Sequence, residues 1–433
     1  MKINKKKLFK LHSWIGIKIS ILFFVVCFSG TVATLSSEID WLVMPDIRAT
    51  PKSTYASTNL AVNNIKEVYP DGEIVFYSAA VAPYLCNIVF VQDQGKLWYV
   101  FVNPYTGSVQ GATTLTVQRF FRDIHYYLYI PFAGHYIVLI FAFLLLLSLT
   151  TAVLFYKQWW KKLFDLKTGN GKLVFYRSLH RLVGAWSVPF MLLFSITGIW
   201  YFVERLNIGG VGSTSNPSAP TLEVALQDTT NFKHISTNLD YDRAIAMAQQ
   251  EIPGLKIKDI SPPSDMNRPI YLNGISEVPL VRNRANRVYV HPETYEVIKV
   301  QKAEDIGTTM FLNDIADPLH FGYWGGLVTK IIWFFGGLGI SGLVLTGLWI
   351  GYKRNVRNKQ KQKAQRMGKW KYVNWVFWWL IVFFIYGTLV VRYHATLTAF
   401  LIISSFLVLC IFGWWYLFSY QLKKSLKKEL TRA

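Results

Sequence analysis

Cysteine is scarce in this chain, with three in 433 residues. Cys27 and Cys410 sit in apolar runs and Cys86 stands alone in a polar region, so no disulfide framework is available. No CxxC or CxxCH occurs, which removes thiol-redox motifs and covalent haem attachment. Acidic residues are also few, 25 against 46 lysines and arginines, and the apolar runs hold almost none. No GxGxxG, P-loop, HExxH or GxSxG stands in a fitting context. The chain therefore carries no nicotinamide or flavin domain of its own and no protease or hydrolase site.

Long apolar runs are what it does have. Half of the chain, 52%, is hydrophobic and 16% is aromatic. Several runs exceed the length needed to cross roughly 30 Å of hydrocarbon. The amino terminus, with Lys2, Lys5, Lys6 and Lys7 before an apolar stretch, looks at first like a signal peptide. The stretch is too long and lacks a small-residue cleavage site, so it reads as a retained span.

The pattern predicts a membrane all-α helical bundle of six transmembrane helices with two soluble α+β insertions. Residues 1–36 form a tail and the first span, 37–130 a first soluble module, and 131–157 the second span. A loop (158–178) leads to the third span (179–203), a second soluble module (204–318) and the fourth span (319–353). A basic loop (354–373) precedes a final two-span hairpin and tail (374–433). The net charge of +21 invites a nucleic-acid reading. The cations cluster beside apolar runs, however, as at Lys157, Lys161, Lys162 and Lys167, at Lys353, Arg354, Arg357, Lys359, Lys361 and Lys363, and at Lys423, Lys424, Lys427 and Lys428. Membrane topology explains that better than phosphate binding does. The positive-inside rule puts both termini in the cytoplasm and both modules outside.

The two halves repeat each other. Leu11-His12 is followed by Gly16 and Gly30, and Leu179-His180 by Gly184 and Gly198 at the same spacings. The second span of each half opens near a histidine, His125 and His320. Val102 to Val109 (VNPYTGSV) parallels Val290 to Val297 (VHPETYEV). The offset grows from 168 residues at His12 and His180 to 195 at His125 and His320, through extra loop in the second module around Gly209 to Pro220. Both halves start inside and go out. Such parallel repeats pack about an axis along the membrane normal, which sets His12 against His180 near the inner face and His125 against His320 near the outer face.

Histidine is costly beside lipid. A single one at a span end is most often an interfacial polar residue, but four in repeat-related pairs suggest ligands. Two facing imidazoles from different helices make an axial pair for haem iron. Gly16 and Gly184 lie one turn deeper on the same helix face, where a missing side chain leaves room for a flat macrocycle or simply for packing. His135, about 80° around the helix from His125, is an alternative outer ligand, a group that hydrogen-bonds to a ligand, or one that handles protons. Arg177, with Arg119 and Arg122, could pair with haem propionates. His234 and His291 read as surface residues, and His394 as part of an interfacial turn. Tyr126, Tyr127, Tyr129, Tyr323 and Trp324 are candidates for the floor of a substrate cleft.

The two LHxxxG starts, the paired turn strings and the histidines before spans two and four resemble the PepSY-associated transmembrane family over about residues 8 to 353. Tyr295 departs from the pattern where the turn favours glycine, which predicts a weaker turn there. The resemblance implies PepSY-like periplasmic modules and a di-haem reductase of the bacterial inner membrane. Two non-covalent haem b groups would relay electrons from a cytoplasmic reductase or quinol to a ferric siderophore or other ferric chelate. Two other readings stand beside it: a membrane-anchored regulator that binds peptidases, and an iron or chelate transporter.

Overall fold

The computed structural model describes residues 4–169, 171–222, 238–359, 369–421 and 424. His234 and the basic residues Lys361, Lys363, Lys423, Lys427 and Lys428 lie outside them. The chain divides into two compact units, one of Met1–Leu35, Arg119–Phe202 and Gly325–Ala433, the other of Ser36–Gln118 and Val203–Trp324.

Along the chain run α1 (Lys5–Lys18), α2 (Ser20–Thr34), α3 (Ser36–Val43) and α4 (Thr58–Val68), then β1 (Glu73–Ser78), β2 (Asn87–Asp93), β3 (Lys96–Val102) and β4 (Val109–Thr113). Next come α5 (Val117–Tyr127), α6 (Ala133–Phe155), α7 (Lys172–Trp186), α8 (Val188–Arg205), α9 (Val211–Ser215) and α10 (Tyr241–Glu251). After β5 (Lys256–Ser261), β6 (Ile270–Ile275), β7 (Asn286–Val290) and β8 (Val297–Gln301) follow α11 (Thr308–Phe321), α12 (Gly326–Lys359), α13 (Trp370–Val391) and α14 (Leu397–Trp415).

The first unit is helical. Among the described residues five helices are long and apolar enough to cross a membrane, or six if the bent pair α1–α2 is one span. That pair bends by 74°, so the expected continuous first span is broken at Ile19. The third is broken 168 residues later, at Ser187. Lys18 and Ser20 flank the first break. Pro189 follows the second, where its missing N–H costs nothing in a first helical turn. Each half therefore begins with a mixed-polarity helix carrying its histidine, and the apolar helix comes after. A second correction concerns His125 and His320. They sit on α5 and α11, separate helices ahead of the apolar spans, because Leu128 and Tyr129, at φ +55° and +58°, end one helix and Gly322, with φ +73°, caps the other.

The second unit is one antiparallel sheet of order β4-β3-β2-β1-β5-β6-β7-β8. Two four-stranded meanders join where Tyr77 pairs with Ile260 and Ser78 with Asp259. Alternate strand residues such as Val89, Val91, Val100, Leu272 and Val288 are buried against Ile65 of α4 and Ala244 and Ala248 of α10. Each aliphatic side chain so buried is worth about 1.5–3 kcal/mol. The two helices clasp by their N-termini. The Asp242 carboxylate accepts from Thr58 N (2.8 Å) and Asn59 N (3.3 Å), and Asn59 Oδ1 accepts from Tyr241 N (2.8 Å). Carboxylates at helix starts also oppose the positive dipole end.

The paired turn strings adopt the same hydrogen bonding. Asn103 N donates to Ser108 O and His291 N to Glu296 O, each at 2.9 Å. Asn103 Oδ1 accepts from Tyr105 N, and His291 Nδ1 accepts from Glu293 N and Thr294 N, so His291 supports its turn. Gly107 and Tyr295 take the matching left-handed position, at φ +72° and +63°. Tyr295 meets the strain by joining the core. Its hydroxyl accepts from Asp240 N at 2.7 Å, and Arg243 lies 4.6 Å over its ring.

Candidate functional site

The helical unit brings His12 of α1 and His180 of α7 together. Their ring centroids lie 6.3 Å apart with the planes at 79°. In each half the partner of Nδ1 comes from the second long helix. His12 Nδ1 is 3.1 Å from Ser148 O and 3.2 Å from Ser148 Oγ on α6. His180 Nδ1 is 2.9 Å from Thr346 Oγ1 on α12. Fixing Nδ1 sets ring orientation and leaves Nε2 as the ligating nitrogen. Sequence reading missed both hydroxyls. Their signal was a polar residue at one matching place in two apolar spans, 198 residues apart.

Metal–imidazole bonds are about 2.0–2.1 Å and a ring nitrogen lies about 1.2 Å from its centroid, so two rings on one metal stand about 6 Å apart. The observed separation fits. The space beside the pair fits as well: a Cβ built on Gly16 meets nothing within 4 Å, and one on Gly184 meets only Leu343 Cδ2 at 3.7 Å. Phe155 closes one side, its ring 5.5 Å from that of His12. Cations flank the site. Arg177 is exposed on α7 one turn before His180. Arg181 pairs with Asp165 at 3.3 Å, and Arg354 lies 4.7 Å over Phe9. Among the described residues no cluster of three or more His, Cys, Asp or Glu could hold a bare metal ion. Two facing imidazoles with open space at Gly16 are compatible with a porphyrin.

His125 is held differently. Its Nδ1 is 2.8 Å from Val26 O of α2, and its ring lies against Gly30, where an added Cβ would come within 2.6 Å of His125 Cε1. Gly30 thus makes room for an imidazole rather than a macrocycle, and Gly198 for Ala142. His135 opens α6 with its ring 4.3 Å from that of Tyr126 and Nδ1 3.2 Å from Tyr126 O. His320 belongs to the other unit, with its ring 5.5 Å from that of Phe321. Tyr126, Tyr323 and Trp324 are exposed. Tyr129 is 1% exposed and packs on Phe120 and Tyr127, so it has no free surface for a substrate.

Arg119 is committed elsewhere than to a propionate. Its Nε lies 3.2 Å from Asp123 Oδ1 and donates to Tyr393 Oη at 3.0 Å. The hydroxyls of Tyr127 and Tyr393 both donate to Asp123. Tyr393 is in the turn between α13 and α14, so this buried network ties the last hairpin to α5, the helix that carries His125.

A repeated helical membrane unit with a duplicated antiparallel module defines the class of protein. The chain belongs to the family of the PepSY-associated TM region, which matches residues 9–354. The α13–α14 hairpin lies beyond the match. The chain is also similar to an uncharacterized protein of Pseudomonas aeruginosa, 26% identical over 144 residues, covering 32% of this chain and 36% of that one. The match therefore spans about a third of that relative's length. The chain, by its fold and family, is itself a multi-pass membrane protein.

Proposed function

We propose that the chain is a haem-b electron-transfer protein of the bacterial inner membrane, with both termini cytoplasmic, that reduces a periplasmic ferric siderophore or similar ferric chelate. One observation carries the reading: His12 and His180, related by the internal repeat, meet at ligand spacing with repeat-related hydroxyls behind them. In this reading His12 and His180 would hold one haem through their Nε2 nitrogens. His125 and His135 are candidate ligands of a second within the helical unit. When bound, haem supplies a one-electron couple whose potential follows its axial ligands and burial.

The chain's own residues do the rest. Ser148 and Thr346 hold Nδ1 and so fix tautomer and ring direction. Gly16 and Gly184 leave the macrocycle space, and Arg177 offers its propionates a guanidinium fork. The surrounding apolar helices exclude water. A ferric chelate that gains one electron holds its iron less tightly, since ferrous iron binds hard oxygen ligands more weakly. The electron donor in this proposal is a cytoplasmic reductase or quinol.

The test is an absorption spectrum of the full chain purified from haem-replete cells. A reducible Soret band with b-type α bands is the expected result, and a colourless preparation would overturn the proposal. His12→Ala and His180→Ala should each remove the same haem and leave any other. Unchanged haem content in both variants would reject the inner pairing.

A further inference from the structure

Between α2, α5, α13 and α14 of the helical unit lies a cleft of about 100 Å³ that opens to one side. Its walls are nearly all apolar and rich in rings, among them Phe24, Phe28, Phe121, Trp378 and Trp414. We propose that this cleft binds the head group of a membrane quinone, which enters sideways from the bilayer.

Three observations select that class of ligand. Apart from Phe121 and Ile124 of α5, the walls come from α2, α13 and α14, which belong to the candidate spans, so an occupant dissolves in hydrocarbon. Aromatic side chains favour a flat ring, which they contact through offset or edge-on stacking. The third observation concerns hydrogen bonding. Trp378 borders the cleft, and its buried indole Nε1 has no acceptor among the described residues. An unpaired N–H at membrane depth costs several kcal/mol because no water reaches it. A saturated acyl chain cannot relieve that cost, whereas a quinone brings two carbonyl oxygens. Ser29, also on the wall, spends its proton on the Val25 and Val26 carbonyls, so its oxygen can accept from the hydroxyl of a reduced ring.

The cleft adjoins the outer histidine. Ile124 lines it and directly precedes His125. Ser29 lines it and precedes Gly30, on which the His125 imidazole rests. A ring in the cleft is thus one side chain from that imidazole. Only the use of the bound ring as an electron donor rests on the proposed function; binding stands on the cleft itself.

The experiment uses the full chain in nanodiscs of phosphatidylethanolamine and phosphatidylglycerol. Retention of a decyl-tailed benzoquinone is measured over empty discs. Saturable retention is expected. Trp378→Phe keeps the ring but removes the N–H and should weaken binding about tenfold, the worth of one hydrogen bond of about 1.4 kcal/mol. Val25→Trp, which fills the cleft, should abolish it, while Leu401→Phe on an exposed position should leave it unchanged. Retention no greater than in empty discs would overturn the proposal. So would binding unaffected by both cleft variants, or a purified protein that holds only phospholipid and does not exchange it for quinone. Quinone binding by a protein without haem would sink the proposed function and spare the site; haem without quinone retention would do the reverse.

Discussion

Ser148 and Thr346 stand 198 residues apart in the chain and do the same work in the two halves, each taking Nδ1 of its half's first histidine. Partners behind a metal-bound histidine typically account for 10–100-fold in affinity. On the proposed function, Thr346→Ala should therefore weaken haem retention about tenfold or more and shift its reduction midpoint, whereas Ser148→Ala, which leaves the Ser148 carbonyl 3.1 Å from His12 Nδ1, should have the smaller effect. Thr346→Ser should restore both, since the hydroxyl and not the methyl is used. Haem titration and a redox titration read the outcome; identical midpoints in all variants would deny the hydroxyls a role.

Glycines 16 and 30 look alike in sequence yet have opposite surroundings. A methyl on Gly30 would press on the His125 ring from 2.6 Å, whereas one on Gly16 meets nothing. Gly30→Ala should cost about 1–3 kcal/mol through overpacking. Gly16→Ala should leave folding unchanged or raise it by up to about 1 kcal/mol, because alanine is the better helix former. Gly16→Leu should fold yet lose haem, as its side chain enters the space assigned to the macrocycle. Thermal unfolding in detergent, read beside the Soret absorbance, separates the three.

The internal repeat, the membrane class and the α+β modules were legible because they rest on spacing and hydropathy, which are local. The union of both modules into one eight-stranded sheet was not. It depends on a short β1–β5 pairing between residues more than 180 apart, and Tyr77 and Ile260 bear no mark of each other. The breaks at Ile19 and Ser187 were hidden for another reason: hydropathy shows polar residues giving way to apolar ones there, but not that the helix stops and restarts. Among site residues, histidines stood out by their rarity in apolar surroundings. Asp123 and Tyr393, far apart in the chain, could be joined only in three dimensions.

The Asp123 network predicts how the hairpin is held. Asp123 is 2% exposed and accepts from Arg119, Tyr127 and Tyr393. Asp123→Ala would leave a guanidinium without its partner, and breaking a buried pair costs about 3–5 kcal/mol. Arg119 keeps some contact with solvent, so the lower end is expected. Tyr393→Phe removes one bond and should cost about 1 kcal/mol. Unfolding of the two variants checks this order; a larger loss in Tyr393→Phe would contradict it.

Asp40 gives the sheet-bearing unit a pH dependence. It is buried, accepts from Val117 N and Gln118 N, and burial pushes its carboxyl up from 3.8 to about 6. Between pH 4 and 6 the folded state holds a proton that the unfolded chain has released. Stability from this group is therefore present below about pH 4, falls as pH rises to about 6, and is flat above. Asp40→Asn does not titrate. The melting temperature of the parent minus that of Asp40→Asn should decline across this window, and a difference that rises with pH would contradict the assignment.

Tyr295 sets backbone strain against burial. A non-glycine residue in the left-handed region costs roughly 1–2 kcal/mol, so Tyr295→Gly would recover about that much. The same change gives up a largely buried aromatic, worth about 2–3 kcal/mol, a hydrogen bond to Asp240 N worth about 1 and a cation–π contact with Arg243 worth about 0.5–1. Burial wins, and Tyr295→Gly should destabilise by about 2–3 kcal/mol. At the matching position Gly107→Ala gains no such contacts. It adds the strain and sets a methyl 3.1 Å from Leu60 Cγ, so it too should destabilise, by about 1–2 kcal/mol. Chemical denaturation of both variants reads the balance, and a stabilised Tyr295→Gly would mean the strained turn costs more than the ring returns.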